Sequence, residues 1–438
     1  MKTDIIIIGA GPGGYHTAVY AAHHGLSVLI VERDAVGGTC LNHGCIPTKA
    51  LCHDAAMIEA VAAVIGERPQ VDFSKIINRK RDVVMRLRGD VETLLSMPGI
   101  TLVRGEAVLK NSHTVTINGE DYTASNIIIA TGSHPKMPKI EGADQPGVMT
   151  STELLDIEQL PEALCVIGAG VIGLEFASVF RSFGCEVSVI EYMKECLPPY
   201  DKDISRRVRK AMEKRGIKFI MQAAVSKINR ADNHLEVVYD CKGKEGIASA
   251  DIILVATGRE ADFGGLGIET SGIATEHGNI IVDDNMQTNV NGVYAIGDVN
   301  GRCMLAHAAI MQGMRCINHI IGKTDNIRLD MIPSAVFTNP EAASVGLTEA
   351  QCRNAEIDFS VRKTPYRANG RAVADDADDG LLKLISSPDG RIVGCHVCGE
   401  HASAIVQEAS ALMSMNCTID RLQDITHIHP TISELLIN

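Results

Sequence analysis

The stretch Asp4-Ile5-Ile6-Ile7-Ile8-Gly9-Ala10-Gly11-Pro12-Gly13-Gly14 decides the fold. Four consecutive isoleucines show no polar alternation, the pattern of a strand buried on both faces of a parallel sheet. They lead into Gly9-x-Gly11-x-x-Gly14 and a helix-like run, followed by Gly25, an apolar strand from Val28 to Val31, and Glu32. Each glycine has a task. The first makes the turn, the second admits a pyrophosphate to the backbone, and the third lets helix pack on strand. The amides at the start of the helix then face phosphate.

One such triplet is weak evidence, but this chain repeats it. Cys165-Val166-Ile167 enters Gly168-x-Gly170-x-x-Gly173, and Gly184, a strand from Val187 to Ile190, and Glu191 follow at the same offset. Glu32 and Glu191 stand where each would accept hydrogen bonds from a ribose diol. The expected fold class is α/β: two Rossmann-like dinucleotide-binding domains and a C-terminal α+β dimerisation domain. A carboxylate at Glu191 repels a 2′-phosphate, and Tyr192-Met193-Lys194-Glu195 brings one lysine and no arginine, so NAD is favoured over NADP.

Ala130-Thr131-Gly132 and Ala256-Thr257-Gly258-Arg259 each follow an apolar strand and read as ends of nucleotide-binding units. Gly292 to Asp298 has the same strand-then-turn form. There Asp298 either meets a polar cofactor chain or caps the next helix. The expected boundaries are 1–145 for the first part of an FAD-binding domain, 146–265 for an NAD-binding domain, 266–332 for the second FAD-binding part, and 333–438 for the C-terminal domain. The acidic run Ala374 to Gly380 reads as a solvated turn before a strand from Leu381 to Ile385.

Between the two fingerprints lies Gly37-Gly38-Thr39-Cys40-Leu41-Asn42-His43-Gly44-Cys45-Ile46-Pro47-Thr48-Lys49. Residues five apart on an ideal helix are separated by ~8.6 Å at Cα. A relaxed disulfide needs about 7 Å or less. A bond between Cys40 and Cys45 therefore requires a distorted helix, which Gly44 permits. Its loop is too short to restrict the unfolded chain much, so redox work is a better reading than stapling.

Thirteen cysteines, an odd number, do not form a secreted disulfide framework, and a reducing, cytoplasmic setting is expected. A net charge of −13 argues against nucleic acid or an anionic membrane as partner. No apolar run approaches the ~18 residues of a membrane span.

Toward the C-terminus, Thr426-His427-Ile428-His429-Pro430-Thr431-Ile432-Ser433-Glu434 places a histidine before proline, which holds it in extended backbone. Glu434 can accept from that imidazole, giving the base that thiol exchange requires. His427 reads as a surface residue. Cys395-His396-Val397-Cys398 lies in a strand pattern that turns its cysteines to opposite faces, so buried thiols are expected rather than a metal site. Cys52 reads as helix packing, and Met304 to Met314 as core filling.

Taken together, these motifs resemble the flavin-dependent pyridine nucleotide–disulfide oxidoreductases that carry a redox-active cysteine pair, and within them the branch that oxidises dihydrolipoamide. The resemblance runs over essentially the whole chain, through Gly9 to Gly14, Gly37 to Lys49, Gly168 to Glu175, Gly297-Asp298, Leu305-Ala306-His307, Pro333 to Thr348, and His429 to Glu434. It implies FAD held by Gly9, Gly11, Gly14, Glu32, Lys49, Thr131, Gly132, Asp298 and His307. It implies NAD held by Gly168, Gly170, Gly173, Glu175, Glu191 and Gly258, and no metal. Cys40 would exchange with the substrate sulfur, and Cys45 would face the flavin. Lys49 would pair with Glu175, and the helix opening near His307 would favour the reduced flavin. In a homodimer, His429, held by Glu434, would serve the partner subunit's disulfide.

The expected reaction is oxidation of dihydrolipoamide to lipoamide with reduction of NAD+. The substrate would be carried by a separate lipoylated protein of a 2-oxoacid dehydrogenase or glycine cleavage complex. One alternative is a related NAD(P)H-dependent reductase of glutathione-like or mercuric substrates, against which stand Glu191 and the absence of a C-terminal cysteine pair. The other is a non-catalytic FAD-binding subunit, against which stands the joint presence of Cys40, Cys45, His429 and Glu434.

Overall fold

The computed structural model describes residues 2–437. The chain forms two units: residues up to 50, 74–136 and 258–329 make the first, and residues 51–73, 137–257 and 330 onward the second.

In the first unit the isoleucine run is β1 (Lys2–Ile8), lying between β2 (Val28–Glu32) and β6 (Glu120–Ile129) and parallel to both. With β3 (Ile100–Arg104), β4 (Ala107–Asn111) and β5 (Thr114–Ile117) the sheet runs β3-β2-β1-β6-β5-β4, and the strand Val293–Ala295 adds beside β6. Ile5, Ile6 and Ile7 are fully buried, each worth about 2 kcal/mol of transfer free energy. The helices α1 (Pro12–His23) and Ala306–Ile320 pack closely together.

That packing overturns one expectation. The methionines from Met304 to Met314 do not fill the core: Met304 is exposed, and Met311 and Met314 are half-buried. The buried face of Ala306–Ile320 is instead Ala308, Ala309, Gln312, Gly313, Cys316, Ile317 and Asn318. A methyl on Gly313 would sit 1.8 Å from Thr17 Oγ1, so the helices approach too closely for larger side chains.

The turn from β1 to α1 shows why glycine is required. Gly9 has φ +104°, and a Cβ there would lie 2.4 Å from the Ala130 carbonyl oxygen. A Cβ on Gly14 would lie 1.9 Å from the Gly9 carbonyl oxygen, a backbone atom of the same turn. Gly14→Ala is therefore expected to cost about 1–3 kcal/mol, as overpacking does. It should be seen as a lower urea midpoint and weaker flavin retention on gel filtration.

Downstream come α2 (Gly38–His43), α3 (Cys45–Ile65), α4 (Phe73–Leu95) and β7 (Ser133–Pro135). β7 pairs with the strand Arg259–Ala261.

The second unit opens with β8 (Val148–Met149) and the short α5 (Ser151–Leu154), started by a capping box at Thr150 and Glu153. Then come β9 (Ala163–Ile167), α6 (Val171–Phe183), β10 (Glu186–Glu191), α7 (Lys202–Lys214) and β11 (Lys218–Met221). With β15 (Ile252–Val255) they build a parallel sheet in the order β11-β10-β9-β15-β8. The fingerprint repeats in three dimensions. Gly168 has φ +108°, and a Cβ on Gly173 would fall 2.1 Å from the Gly168 carbonyl oxygen. An antiparallel ribbon of β12 (Ala223–Arg230), β13 (Leu235–Cys241) and β14 (Lys244–Ala250) precedes β15.

The same unit ends in a five-stranded antiparallel sheet. Its order is Ser334–Val336, Ala342–Gly346, Ile392–Cys398, Leu381–Ser386, Ser360–Pro365, with helix Ala402–Ser414 against it. Lys383, in the fourth of these strands, is buried and paired with Asp201 at 2.7 Å, Asp203 at 3.0 Å, and Glu349. In the turn before that strand, Asp379 pairs with Arg207 at 2.7 Å and Lys214 at 2.8 Å.

Candidate active site

The cysteine loop begins on two left-handed glycines, Gly37 (φ +95°) and Gly38 (φ +56°). Gly37 N–H donates to the Ala10 carbonyl at 2.8 Å, and a Cβ on Gly38 would lie 2.6 Å from Gly11 Cα. The loop is thus laid directly on the first dinucleotide turn. α2 runs for six residues and stops at Gly44, whose φ −148° and ψ −112° are not helical, and α3 starts at Cys45. Cys40 and Cys45 therefore lie on different helices, and the distance objection to a bond between them is removed.

Both stand as thiols rather than as a disulfide, Cys40 half-buried and Cys45 exposed. A hydrogen bond with Cys45 and then burial push the Cys40 thiol well above its ordinary range, while Lys49 pulls the other way.

Around the first turn, Glu32 accepts from Ala10 N–H at 2.7 Å and Asp34 N–H at 2.9 Å. Gly11 precedes α1 and gives it no side-chain cap, so the first amides of the helix face the turn. At the end of β6, Thr131 Oγ1 is buried with no hydrogen-bond partner, and a methyl on Gly132 would meet nothing within 4 Å. Asp298 lies in the one-turn helix Gly297–Asn300, which has no side-chain cap, so capping is not its role. Its carboxylate accepts from Ser133 Oγ at 2.5 Å, and Ser133 Oγ in turn accepts from Arg259 Nε at 2.7 Å. His307 is exposed in the first turn of Ala306–Ile320. An orphaned hydroxyl, an open glycine, uncapped amides and a fixed carboxylate around one strand edge fit the phosphates and polyol of a flavin dinucleotide.

In the second unit, Glu191 accepts from Ala169 N–H at 2.6 Å and Met193 N–H at 2.7 Å, matching Glu32 in the first. A Cβ on Gly170 would meet nothing within 4 Å, which leaves room for a phosphate. Glu175 is buried in α6 and accepts from Phe337 N–H at 2.9 Å, so the structure joins it to the C-terminal sheet. Gly258 belongs to the first unit, where its carbonyl accepts from Lys136 N–H at 3.0 Å.

The expected histidine–glutamate contact is formed. His429, its side chain 80% exposed and its bond to Pro430 cis, holds Nδ1 2.9 Å from Glu434 Oε1. Glu434 also caps the turn Ile432–Leu436, accepting from Thr431 N–H at 2.9 Å. That N–H and then His429 hold its carboxyl below the usual range. His427 is not the surface residue expected. Its side chain is only 5% exposed, packed with Nε2 2.9 Å from Glu408 and Nδ1 3.0 Å from the Ile425 carbonyl.

Residues 3–313 match the family model described as pyridine nucleotide-disulphide oxidoreductase, and residues 332–438 match that family's dimerisation domain. The chain is 39% identical over its full length to a dihydrolipoyl dehydrogenase of Thermus scotoductus, of which it covers 96%. To the mitochondrial dihydrolipoyl dehydrogenase of Pisum sativum it is 36% identical over 99% of its length, covering 90% of that protein. Its fold is similar to that of the HOCl-induced flavoprotein disulfide reductase RclA from Escherichia coli, solved as a Cu(II) complex. There the TM-score is 0.89 at 31% identity, over 100% of this chain and 98% of that one. The chain belongs to the pyridine nucleotide-disulphide oxidoreductases.

As such an oxidoreductase it is a flavoprotein enzyme that works with FAD and NAD(H) and forms a homodimer through its dimerisation domain. Among the described residues, no group of three or more His, Cys, Asp or Glu side chains is placed to hold a metal, and no helix is long and apolar enough to cross a membrane. Cys395 and Cys398 are buried thiols, each pushed up to about 12 by burial, and His396 bonds Ser344 at 2.5 Å. Cys52 packs with its sulfur 3.5 Å from the Phe337 carbonyl. Ser133 and Arg259 carry no motif that links them to Asp298; only the apolar strands before each mark them as strand-end residues.

Proposed function

We propose that this oxidoreductase is a dihydrolipoyl dehydrogenase, oxidising the dihydrolipoamide of a separate lipoylated protein and reducing NAD+. The observation that carries the reading is the pair Cys40 and Cys45, set on two helices across Gly44 and in hydrogen-bond contact. The identity to two dihydrolipoyl dehydrogenases supports it.

The cycle starts with the Cys40–Cys45 disulfide. His429, its ring fixed by Glu434, takes the proton of one substrate thiol, and the thiolate attacks Cys40. A mixed disulfide forms and Cys45 leaves with the electron pair. The second substrate thiol then attacks the first substrate sulfur and releases Cys40. Lipoamide departs as its cyclic disulfide, and the enzyme keeps two electrons as a dithiol. FAD, when bound, supplies the relay that delivers these electrons to NAD+, which leaves as NADH with release of one proton. In the homodimer, His429 serves the cysteine pair of the other subunit.

The nucleotide preference follows from Glu191. Its carboxylate is buried and fixed by two backbone amides, at the place in the fingerprint where an acidic residue takes a ribose diol. Placing a 2′-phosphate beside it sets like charges together, at a cost of several kcal/mol. Steady-state assays with dihydrolipoamide are expected to give kcat/KM at least ~100-fold higher for NAD+ than for NADP+, or about 2.7 kcal/mol. The same assay tests the substrate. Turnover of glutathione disulfide with NADPH, and none of dihydrolipoamide with NAD+, would instead assign the chain to the related NAD(P)H-dependent disulfide reductases.

A further inference from the structure

Two helices bear the two sulfurs, and both are tied to a third. α2 is six residues long, starts on left-handed Gly37 and ends at Gly44, so little within it fixes its direction. Asn42, in the middle of the cysteine motif and nearly fully buried, does that work. Its Nδ2 donates to the Val36 carbonyl at 3.0 Å and the Gly38 carbonyl at 3.0 Å. Its Oδ1 accepts from both Nε at 3.0 Å and Nη2 at 2.7 Å of Arg88, which lies on α4. The same α4 carries Arg79, whose guanidinium donates to the Ala50 carbonyl in the early turns of α3, the helix that Cys45 opens.

We propose that α4 is a clamp that sets the spacing of the redox pair: Arg88 holds the helix of Cys40 through Asn42, and Arg79 holds the helix of Cys45 through Ala50. Arg88 and Arg79 are positioning residues, and the proposal rests on the reading of Cys40–Cys45 as the working disulfide. The bond closes when two thiols give up two electrons and two protons, and its stability measures how closely the scaffold presents one sulfur to the other. An asparagine is needed at the junction because it donates and accepts at once. An arginine suits α4 because two N–H groups of its rigid fork converge on the one oxygen. Loosening either tie lets the sulfurs separate and makes the disulfide easier to reduce.

The test is equilibration of the holoenzyme in buffers of reduced and oxidised dithiothreitol. Each disulfide opened converts one dithiothreitol to its cyclic disulfide. The thiols are then alkylated, and the Cys40 and Cys45 peptides are counted by mass spectrometry. Arg88→Gln is expected to shift the equilibrium about tenfold toward the dithiol, about 30 mV in a two-electron couple. Arg79→Gln should shift it the same way, and Arg88→Lys, which can make one bond but not the fork, by less. Arg86→Gln, an exposed arginine on the same helix, should leave it unchanged. A parent-like equilibrium in both Arg88→Gln and Arg79→Gln overturns the clamp alone, as does an equal shift in Arg86→Gln. Failure of the parent enzyme to form any Cys40–Cys45 bond overturns the clamp together with the redox reading beneath it.

Discussion

Cys45→Ser enzyme is expected to oxidise dihydrolipoamide with NAD+ at least ~1,000-fold more slowly than the parent, the scale seen when a covalent catalytic group is removed. A serine oxygen cannot close a disulfide with Cys40, so the substrate's two electrons have nowhere on the chain to rest. The long-wavelength absorbance that a thiolate beside the flavin produces should vanish with it. A second readout tests the cause at Cys40. Contact with Cys45 is the largest influence raising that thiol. With the contact removed, the Cys40 thiol falls toward its ordinary range, more of it is thiolate at pH 8, and iodoacetamide should alkylate it faster. Retention of the absorbance in Cys45→Ser would mean that the roles of the two sulfurs are exchanged. Slower alkylation would contradict the raising of the Cys40 thiol by Cys45.

His429→Gln should slow the dihydrolipoamide half-reaction by ~100–10,000-fold, the range expected of a positioned general base. Reduction of the flavin by NADH, assayed with an artificial electron acceptor, does not use this base and should stay within about threefold of the parent. Glu434→Gln keeps an oxygen that can accept from the imidazole but loses its charge, so a smaller loss is expected. The pH dependence follows from the direction of the Glu434 shift. Its folded-state value is lowered, first by the Thr431 N–H and then by His429. The carboxylate's contribution is therefore fully present above the usual carboxylate range and is lost only as the pH falls through the depressed value. Across neutral pH the partner of His429 stays ionised. Loss of dihydrolipoamide oxidation near pH 6 that disappears in Glu434→Gln would contradict this assignment.

The parts of this enzyme legible in its sequence are those in which the backbone leaves no choice of residue. A Cβ at Gly9, Gly14 or Gly173 would meet a carbonyl oxygen within 2.4 Å, so the glycines are written plainly and twice. The isoleucines of β1 read equally well, because burial on both faces admits no polar residue. The cysteine loop was half legible. Its spacing required a break, and the non-helical Gly44 supplies it, but nothing local announces that α4 holds both sides. Arg79 and Arg88 look like ordinary surface charges in a polar helix, and their partners lie 29 and 46 positions away. Ser133 is 165 positions from Asp298 and 126 from Arg259, beyond the reach of any spacing rule. His427 misleads for the same reason, since Glu408 buries it from another element. Methionine content suggested a filled core beside α1, where contact at Gly313 and Thr17 excludes such side chains.

The central claim is that Cys40 and Cys45 take two electrons from dihydrolipoamide and pass them on to NAD+. It is tested most directly by anaerobic titration of the purified flavoprotein, first with dihydrolipoamide and then with NAD+, followed by absorbance. One equivalent of dihydrolipoamide should raise the long-wavelength band, and NAD+ should then discharge it with formation of one equivalent of NADH. A flavin spectrum unmoved by dihydrolipoamide, or a band that NAD+ cannot discharge, would contradict the assignment.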